Sequence, residues 1–261
     1  SDAVVVTDHV VEVMRECVPL APLHNPANMK GIEAVKANMP KVPQCGVFDT
    51  AFHQTMPPHA YLYPLPLEMY RTHKIRRYGF HGTSHKYVSQ RAAEFLQRDL
   101  AELKVISCHM GNGASITAIA GGKSVDTSMG LTPLEGLMMG TRCGDIDPAI
   151  PIHMQQQLGL TVDEVNVILN KKSGMLGLSS ISNDMRVIED EILKHQNPQA
   201  TTAHDVYCYR IKKYIGSYFA AMNGLDVLIF TGGVGENMPI MRSLACRDLD
   251  ALGIRLDEEA N

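Results

Sequence analysis

Residues 104–120 read KVISCHMGNGASITAIA, two apolar runs on either side of a short glycine-rich segment. Lys104–His109 has the composition of a buried strand, and Ala114–Ala120 has that of a second strand. Gly111-Asn112-Gly113 lies between them and is typical of a tight turn. The stretch therefore predicts a β-hairpin with a glycine-rich tip.

The rest of the chain alternates between predicted helices and short strands. A third apolar strand, Asp226–Phe230, runs into the glycine-rich segment Gly232–Gly235. The stretch from Pro57 to Pro66 holds four prolines and is predicted to be irregular. Strands mixed with long helices indicate an α/β fold. Further elements are predicted as a strand at Cys45–Asp49 and helices at Asp8–Cys17 (capped by Thr7), Asn28–Asn38, Ser84–Leu100, Thr161–Asn170 and Asp205–Asn223.

Composition excludes several classes of function. The 261 residues carry a net charge of −4, so no broad basic surface is expected and nucleic acid is not the expected partner. No apolar run reaches 18 residues, so no membrane association is predicted. The six cysteines are scattered without a C-x-x-C pair, which favours reduced thiols and a cytoplasmic location.

Both glycine-rich segments follow apolar strands. Glycine permits positive φ and lets backbone N–H groups approach an anion closely. One such segment alone is more often only a tight turn, but two at strand ends, where α/β proteins bind ligands, favour a phosphate site. Neither is a Walker A loop, because no Gly-Lys-Ser/Thr follows.

Asp49 and His81 are candidates for chemistry. Asp49 ends a predicted buried strand, where its carboxylate either holds Mg²⁺ through water or caps the residues that follow. His81 lies between Gly79 and Gly82, which favours a position where backbone and ligand meet and where its ring can donate to a phosphoryl oxygen. Ser84 resembles a helix cap rather than a nucleophile.

Two further segments carry charged side chains beside glycines or at a helix start. Arg142 lies in Gly140–Pro148, where its planar fork matches paired phosphoryl oxygens; the alternative is a surface ion pair with Asp145 or Asp147. Asp184 precedes a predicted helix and either caps it or accepts hydrogen bonds from ribose hydroxyls.

In this order the segments resemble the acetate kinase (acetokinase) family. Ile106–Ser115 is similar to a signature of that family, and the resemblance covers essentially the whole chain without a break. The other matching blocks are Leu23–Asn28, Val47–His53, Tyr78–His85 and Asp126–Gly136.

The resemblance implies a ribonuclease H-like fold of two domains, shared by sugar kinases, actin and the Hsp70 ATPase. Residues 1–49 would be the remnant of an incomplete N-terminal domain, and residues 50–261 would form the C-terminal nucleotide-binding and dimerisation domain. A homodimer is implied as well.

The implied reaction is reversible transfer of the γ-phosphate of ATP to acetate, giving acetyl phosphate and ADP, with Mg²⁺ or Mn²⁺. Asp49, the essential carboxylate close to the metal, would hold it indirectly through water, while His81 and Arg142 would stabilise the transition state. The residues implied for ATP or ADP are His109, Met110, Gly111, Asn112 and Gly113 at the phosphates, Asp184, Met185 and Arg186 at the ribose, and Gly232, Gly233, Val234, Gly235 and Glu236 at the adenosine. The acid would lie near Leu23, His24, Phe80 and Pro133.

The family pattern also has a phosphate-contacting segment and a carboxylate-binding arginine ahead of the position of Ser1, and a metal-binding glutamate segment beyond Asn261. We therefore expect the 261-residue chain by itself to be inactive or severely impaired. The alternatives are a propionate or butyrate kinase, an ATP-binding module of the actin or Hsp70 type, and a structural remnant that only dimerises.

Overall fold

A computed structural model of the protein describes residues 3–18 and 25–261. The N-terminal region contains two short strands that pair antiparallel, with Ala3 opposite Val47. The Thr7 hydroxyl accepts a hydrogen bond from the backbone N–H of Val10 at 3.3 Å, so the predicted cap is confirmed. The elements of this region are β1 (Ala3–Val5), α1 (Asp8–Glu16), α2 (Asn25–Asn38) and β2 (Cys45–Val47).

The prediction that Asp49 ends a buried strand is wrong. Strand β2 stops at Val47, and its side chains are exposed or only partly buried. Among the described residues its only partner strand is β1, which is equally short, so no third strand extends this pair. Asp49 lies two residues beyond the strand, in an exposed connection.

The central sheet confirms the predicted hairpin. Strands β3 (Lys104–Met110) and β4 (Ala114–Ala120) pair antiparallel around the glycine-rich turn, with Met110 opposite Ala114. Strand β6 (Val227–Thr231) lies parallel to β3 on its other side, and β5 (Lys123–Thr127) completes the order β5-β4-β3-β6. The residues of β6 are half-buried rather than fully buried, because β6 is an edge strand.

The helix boundaries depart from the predictions in ways that local chemistry explains. Helix α5 ends at Leu96, ahead of the predicted Leu100, because Gln97 adopts left-handed backbone angles. Helix α10 begins at Pro198, because Asn197 caps its first turn and proline is tolerated at the first helical position. Proline at that position also permits the one-turn helix α3 within the stretch predicted to be irregular. The helices beyond β2 are α3 (Pro58–Tyr61), α4 (Leu67–Arg71), α5 (Gly82–Leu96), α6 (Ala149–Leu158), α7 (Val162–Lys171), α8 (Gly174–Ser179), α9 (Met185–Leu193), α10 (Pro198–Met222), α11 (Gly232–Asn237) and α12 (Pro239–Cys246).

The sheet is covered on both faces, and the alternation of β3 assigns its residues to one face or the other. Ile106, Cys108 and Met110 join the main core with residues of α10 and α12. Val105 packs instead with Ala93 of α5, in a second cluster. Because side chains alternate along a strand, the polar residues between these apolar ones lie on the α5 face.

Within the described part of the chain, no helix is both long enough and apolar enough to cross a membrane.

Candidate active site

The sheet brings the two glycine-rich segments together. His109 of β3 pairs with Thr231 of the parallel β6, so both strands end at the same edge. Gly232 has φ +78°, and a Cβ there would lie 2.6 Å from the Met110 carbonyl oxygen. The second segment is not a tight turn, because Gly232 is the first residue of helix α11.

The turn between β3 and β4 lies against the loop that carries Arg142. A Cβ on Gly113 would lie 2.7 Å from Nη2 of Arg142, so any other residue there would displace the end of the arginine side chain. The Gly140 N–H donates to the Asn112 carbonyl oxygen at 3.0 Å. The structure thus places the predicted Arg142 and the predicted turn Gly111–Gly113 side by side.

Arg142 does not form the surface ion pair that was the alternative to a phosphate role. Its Nη1 donates to the Pro133 carbonyl oxygen at 2.6 Å. Asp145 accepts from the Tyr214 hydroxyl at 2.6 Å, and Asp147 accepts from the Ala149 N–H at 2.8 Å. Partial burial lowers the pKa of Arg142 from its usual value, but an arginine stays a cation.

The Asp49 carboxylate joins the N-terminal region to the start of α5. Its Oδ2 accepts from the His81 N–H at 2.6 Å, and its carbonyl oxygen accepts from the Gly82 N–H at 2.8 Å. The alternative that Asp49 caps the segment after it is not observed: Thr50 precedes the 3-10 helix Ala51–Thr55, without a side-chain cap.

His81 has left-handed backbone angles, with φ +56°, which are uncommon for a residue other than glycine. Its ring lies 4.2 Å from that of His109, centroid to centroid, with 30° between the planes. Burial, helped by the neighbouring His109 and the Arg142 charge, lowers the pKa of His81 to about 3. His81 is therefore neutral near pH 7 and can act as a hydrogen-bond donor but not as a cation.

Ser84 is not the helix cap that the sequence predicts, because α5 starts earlier and His81 occupies the capping position. The Ser84 hydroxyl instead lies 2.8 Å from Nδ1 of His109. Burial lowers the pKa of His109 as well, so the two stacked rings avoid charge repulsion.

Sequence reasoning missed the polar side chains behind the two rings. His81 Nδ1 lies 2.9 Å from the Ser115 hydroxyl, and the same hydroxyl lies 2.8 Å from Nε2 of His85. The other ring nitrogen of His85 lies 3.0 Å from the Ser107 hydroxyl. Ser107 and Ser115 are fully buried on the α5 face. Polar residues at alternate positions of otherwise apolar strands were the signal that could have found them.

A partly buried ion pair between Arg77 and Glu135, which the sequence does not reveal, lies at the loop that presents Pro133. Glu135 accepts from Nη2 of Arg77 at 2.7 Å and from the Tyr63 hydroxyl. Arg77 also donates to the Thr127 carbonyl oxygen at 2.7 Å. Burial and the Glu135 charge raise the pKa of Tyr63, so this hydroxyl remains a donor. The pair gives an irregular loop a fixed position without secondary structure.

A cavity of about 280 Å³ opens beside the glycine turn. Asp184 caps α9 by accepting from the Arg186 N–H at 3.0 Å, so the capping alternative is observed. Asn183 donates to the Asn112 side-chain oxygen at 3.0 Å and ties α9 to the turn. Six predicted nucleotide residues line the cavity, namely Gly111, Asn112, Asp184, Met185, Arg186 and Val234, together with Gly140, Asn183 and Tyr207.

The remaining predicted nucleotide residues do not line this cavity. The Met110 side chain is fully buried in the main core, so only its backbone is left for a ligand contact. Glu236 is exposed and accepts from the Thr231 hydroxyl at 3.3 Å. The others are His109, Gly113, Gly232, Gly233 and Gly235, at the ends of β3 and β6 or within α11.

Of the four residues predicted for the acid pocket, two are described. Phe80 is half-buried against the main core, and Pro133 is the residue whose carbonyl oxygen Arg142 contacts. Leu23 and His24 lie outside the described residues.

Asp49 is the one predicted contributor to a metal site. In residues 3–18 and 25–261, no three His, Cys, Asp or Glu side chains lie close enough together to hold a metal ion. A single carboxylate fits Mg²⁺, which keeps several waters and is commonly bound by one or two carboxylates plus substrate phosphates. It does not fit a dedicated protein cage for a transition metal.

Known proteins resemble this chain along its full length. The sequence profile of the acetokinase family matches residues 1–261. Acetate kinase from Thermoanaerobacter pseudethanolicus is 58% identical over 261 residues, which are 100% of this chain and 65% of that protein. Acetate kinase from Coprothermobacter proteolyticus is 60% identical over 260 residues, 99% of this chain and 65% of that protein.

Solved structures of an acetate kinase and a propionate kinase also resemble this chain. Porphyromonas gingivalis acetate kinase matches with TM-score 0.95 and 53% identity, covering 100% of this chain and 65% of that one. A propionate kinase from Francisella tularensis matches with TM-score 0.94 and 45% identity, covering 99% of this chain and 66% of that one. The fold is therefore the α/β fold of these kinases, and the chain spans about 65% of the length of the curated relatives that it matches. The chain belongs to the acetokinase family.

Proposed function

We propose that the full-length protein transfers the γ-phosphate of ATP to acetate, giving acetyl phosphate and ADP, in a reversible reaction. The observation that carries the proposal is the convergence of two neutral histidine rings, one arginine and one carboxylate at a glycine turn. Such a set suits phosphoryl transfer, where positioning and charge stabilisation dominate and little covalent work falls to the protein. Membership of the acetokinase family supports the same reaction.

The proposed division of labour follows from the charges. Arg142 presents a cation beside the turn at Gly113, where it can meet the charge spread over the phosphoryl oxygens. His81 adds a neutral donor, since burial lowers its pKa to about 3. The acetate oxygen attacks the γ-phosphorus while the bond to the β,γ-bridging oxygen breaks, and ADP leaves with that electron pair.

We propose that Asp49 orients the metal-bound water of MgATP. When bound, Mg²⁺ or Mn²⁺ would neutralise charge on the phosphates, and Asp49 is the described residue that would hold it, indirectly through water. The hydrogen bond from the His81 N–H fixes the Asp49 carboxylate next to the ring that contacts the transferred group. This arrangement supports the indirect role of Asp49.

For the nucleotide, we propose that the phosphates lie along His109–Gly113 and that the nucleoside occupies the cavity between the turn and α9. Asp184, Met185 and Arg186 line that cavity, and the ribose would lie against them. The segment from Gly232 to Glu236 starts at the same edge of the sheet and would contact the adenosine.

Acetate would lie beside Phe80 and Pro133. Propionate is the second candidate substrate, because a structural relative is named a propionate kinase. One methylene in an apolar pocket changes discrimination by only about 1–3 kcal/mol, so overlapping use of both acids is expected.

We further propose that residues 1–49 belong to an N-terminal domain, and residues 50–261 form the nucleotide-binding and dimerisation domain. Exposed apolar side chains on α6 and α7, among them Ile152 and Val162, support a homodimer. Six free thiols support a cytoplasmic location.

The test is an assay of the purified full-length protein with MgATP and acetate, in which hydroxylamine traps the acyl phosphate as a hydroxamate. We expect acyl phosphate only when both MgATP and the acid are present. The kcat/KM values for acetate and propionate should differ by no more than the factor of about 10–200 that one methylene gives. Absence of acyl phosphate with every short carboxylic acid would refute the proposal.

A further inference from the structure

Four side chains behind the candidate site form a continuous line of hydrogen bonds, here called the serine–histidine chain: Ser107, His85, Ser115 and His81. The Ser107 hydroxyl lies 3.0 Å from Nδ1 of His85, and Nε2 of His85 lies 2.8 Å from the Ser115 hydroxyl. That hydroxyl lies 2.9 Å from Nδ1 of His81. Ser107, His85 and Ser115 have no exposed surface, so bulk solvent does not reach their polar atoms.

Both rings in this chain are neutral. Burial lowers the pKa of His85 well below its usual value, and that of His81 to about 3. A neutral imidazole carries one N–H and one acceptor nitrogen, and a serine hydroxyl carries one proton. The protons can therefore be placed one after another.

The placement starts at Ser107, whose hydroxyl contacts only His85 among the residues described here. A buried hydroxyl proton requires an acceptor, so Ser107 donates to Nδ1 of His85. His85 must then carry its proton on Nε2 and donate it to Ser115. The Ser115 proton in turn has one remaining acceptor in the described chain, Nδ1 of His81. His81 is left with its proton on Nε2.

The opposite placement of the protons is excluded at Ser107. If His85 carried its proton on Nδ1, it would donate to Ser107, and the Ser107 proton would have no acceptor in the described structure. Folded proteins avoid such orphaned buried protons. His81 Nε2, for its part, makes no hydrogen bond with any described residue, and its ring lies next to that of His109 and feels the charge of Arg142.

We propose that Ser107, His85 and Ser115 are positioning residues that lock His81 in the tautomer with the proton on Nε2, so that this nitrogen donates to a phosphoryl oxygen. Resting on the function proposed above, the assignment adds how His81 is made a donor while neutral. The other tautomer would present a lone pair to an anion and would repel it.

The first test reads the tautomer directly. Long-range ¹H–¹⁵N spectra of the full-length protein with ¹⁵N-labelled histidine distinguish a ring protonated on Nε2 from one protonated on Nδ1, and His81→Gln assigns the signals. We expect His81 to be protonated on Nε2 near pH 7.5. A His81 ring protonated on Nδ1 would overturn the proposal. The spectrum can be read even if the protein does not phosphorylate acetate, so failure of the proposed function and failure of the serine–histidine chain are separate results.

The second test removes the Ser115 hydroxyl, which connects His85 to His81. Ser115→Ala should leave His81 in a mixture of tautomers and lower kcat by about tenfold or more, with KM for ATP within about threefold. The matched control is Ser124→Ala, which removes a buried hydroxyl 2.9 Å from Nδ1 of His53, a bond of the same kind outside the chain. In the control we expect an unchanged His81 tautomer and a kcat within about twofold of wild type.

A Ser115→Ala protein with one His81 tautomer and a normal kcat would overturn the assignment. An equal loss of kcat in Ser124→Ala would do the same, because it would reveal a general packing effect. If Ser115→Ala fails to fold, the wild-type spectrum alone decides between the two tautomers.

Discussion

Strands β1 and β3 belong to sheets that are held in different ways. β3 lies between α5 and α10 and contributes several fully buried side chains to two clusters. Among the described residues, β1 pairs only with β2, and only Met29 is buried before Asp49. Apolar burial is the main source of stability, so the central sheet is stable by its own packing while the N-terminal pair is not. Asp49 and its two hydrogen bonds to the start of α5 connect the weakly packed region to the well packed one.

The difference has a consequence for the candidate site. Arg142, His109 and the turn at Gly113 are attached to the buried sheet or to loops held against it. Asp49 is attached to the exposed region. The donors are thus held rigidly, and the carboxylate depends on the contact with His81 for its position.

The largest difference between the central sheet and the N-terminal pair of strands is expected in amide hydrogen exchange of the 261-residue chain. Amides of β3 should exchange only through global unfolding, whereas those of β1 and β2 should exchange at least about 10³-fold faster through local opening. Exchange followed by mass spectrometry of peptides from each sheet measures this ratio. Equal protection of the two sheets would show that the N-terminal pair of strands is as stable as the central sheet.

A matched pair of substitutions provides the control. Met139→Ala, at a fully buried core position, should lower the free energy of unfolding by about 2–5 kcal/mol. Met29→Ala should leave the unfolding of the central sheet unchanged, since Met29 does not belong to either of its core clusters. Urea titration of both variants gives the two values.

The next effect concerns the edge where β3 and β6 meet. Gly232→Ala should lower the free energy of unfolding by about 2–4 kcal/mol, because φ is +78° and the new Cβ would lie 2.6 Å from the Met110 carbonyl oxygen. Gly233→Ala is the control: no atom lies within 4 Å of its Cβ position, and alanine favours the helix. Equal stability of the two variants, measured by urea unfolding, would contradict the placement of α11 against β3.

A smaller effect is expected from pH. His53 is fully buried beside Asp49 and His85, and burial lowers its pKa to about 4. Below the ordinary pKa of histidine, His53 is protonated in the unfolded chain but stays neutral in the folded chain. The free energy of unfolding therefore falls as the pH falls. Between pH 7.5 and 5 this costs about 2 kcal/mol, since each pKa unit is worth about 1.4 kcal/mol.

His53→Gln isolates that contribution. From pH 7.5 to pH 5, the free energy of unfolding of the wild type should fall by about 2 kcal/mol more than that of the variant, because the variant has no imidazole at position 53 to protonate on unfolding. Urea titrations at both pH values measure it. A difference that stays constant with pH would show that His53 is not held neutral by burial.

The smallest effect is predicted in the N-terminal region. Lys36 donates to Asp8 at 2.6 Å, but both side chains are mostly exposed, and exposed ion pairs contribute little. Asp8→Asn should leave Tm unchanged within about 1 °C in a thermal scan. A drop of several degrees would show that the N-terminal region depends on this pair.

Much of the central fold could be predicted from the sequence because its signals are local. The hairpin of β3 and β4 follows from two apolar runs and a glycine turn, and the structure has the predicted turn residues between the strands. Thr7 and Thr161 cap helices through residues three positions away. What fixes these features lies within a few residues of each.

The partners behind the site could not be predicted, because they come together only in the folded chain. Arg77 meets Glu135 across 58 residues, and Asp145 meets Tyr214 across 69. Asp49 was wrongly placed on a buried strand because an apolar run does not reveal whether anything covers it. Tertiary packing, rather than local preference, decided those points.

The role proposed for Arg142, held beside the glycine turn, is to stabilise a phosphoryl group in transfer. Its most direct test is the turnover and nucleotide affinity of Arg142→Ala in the full-length protein, with the exposed Arg91→Ala as control. We predict a fall in kcat of about 10³-fold or more, with the Kd for ATP within about threefold, and a control within about twofold of wild type. Normal turnover in Arg142→Ala would exclude Arg142 from this role.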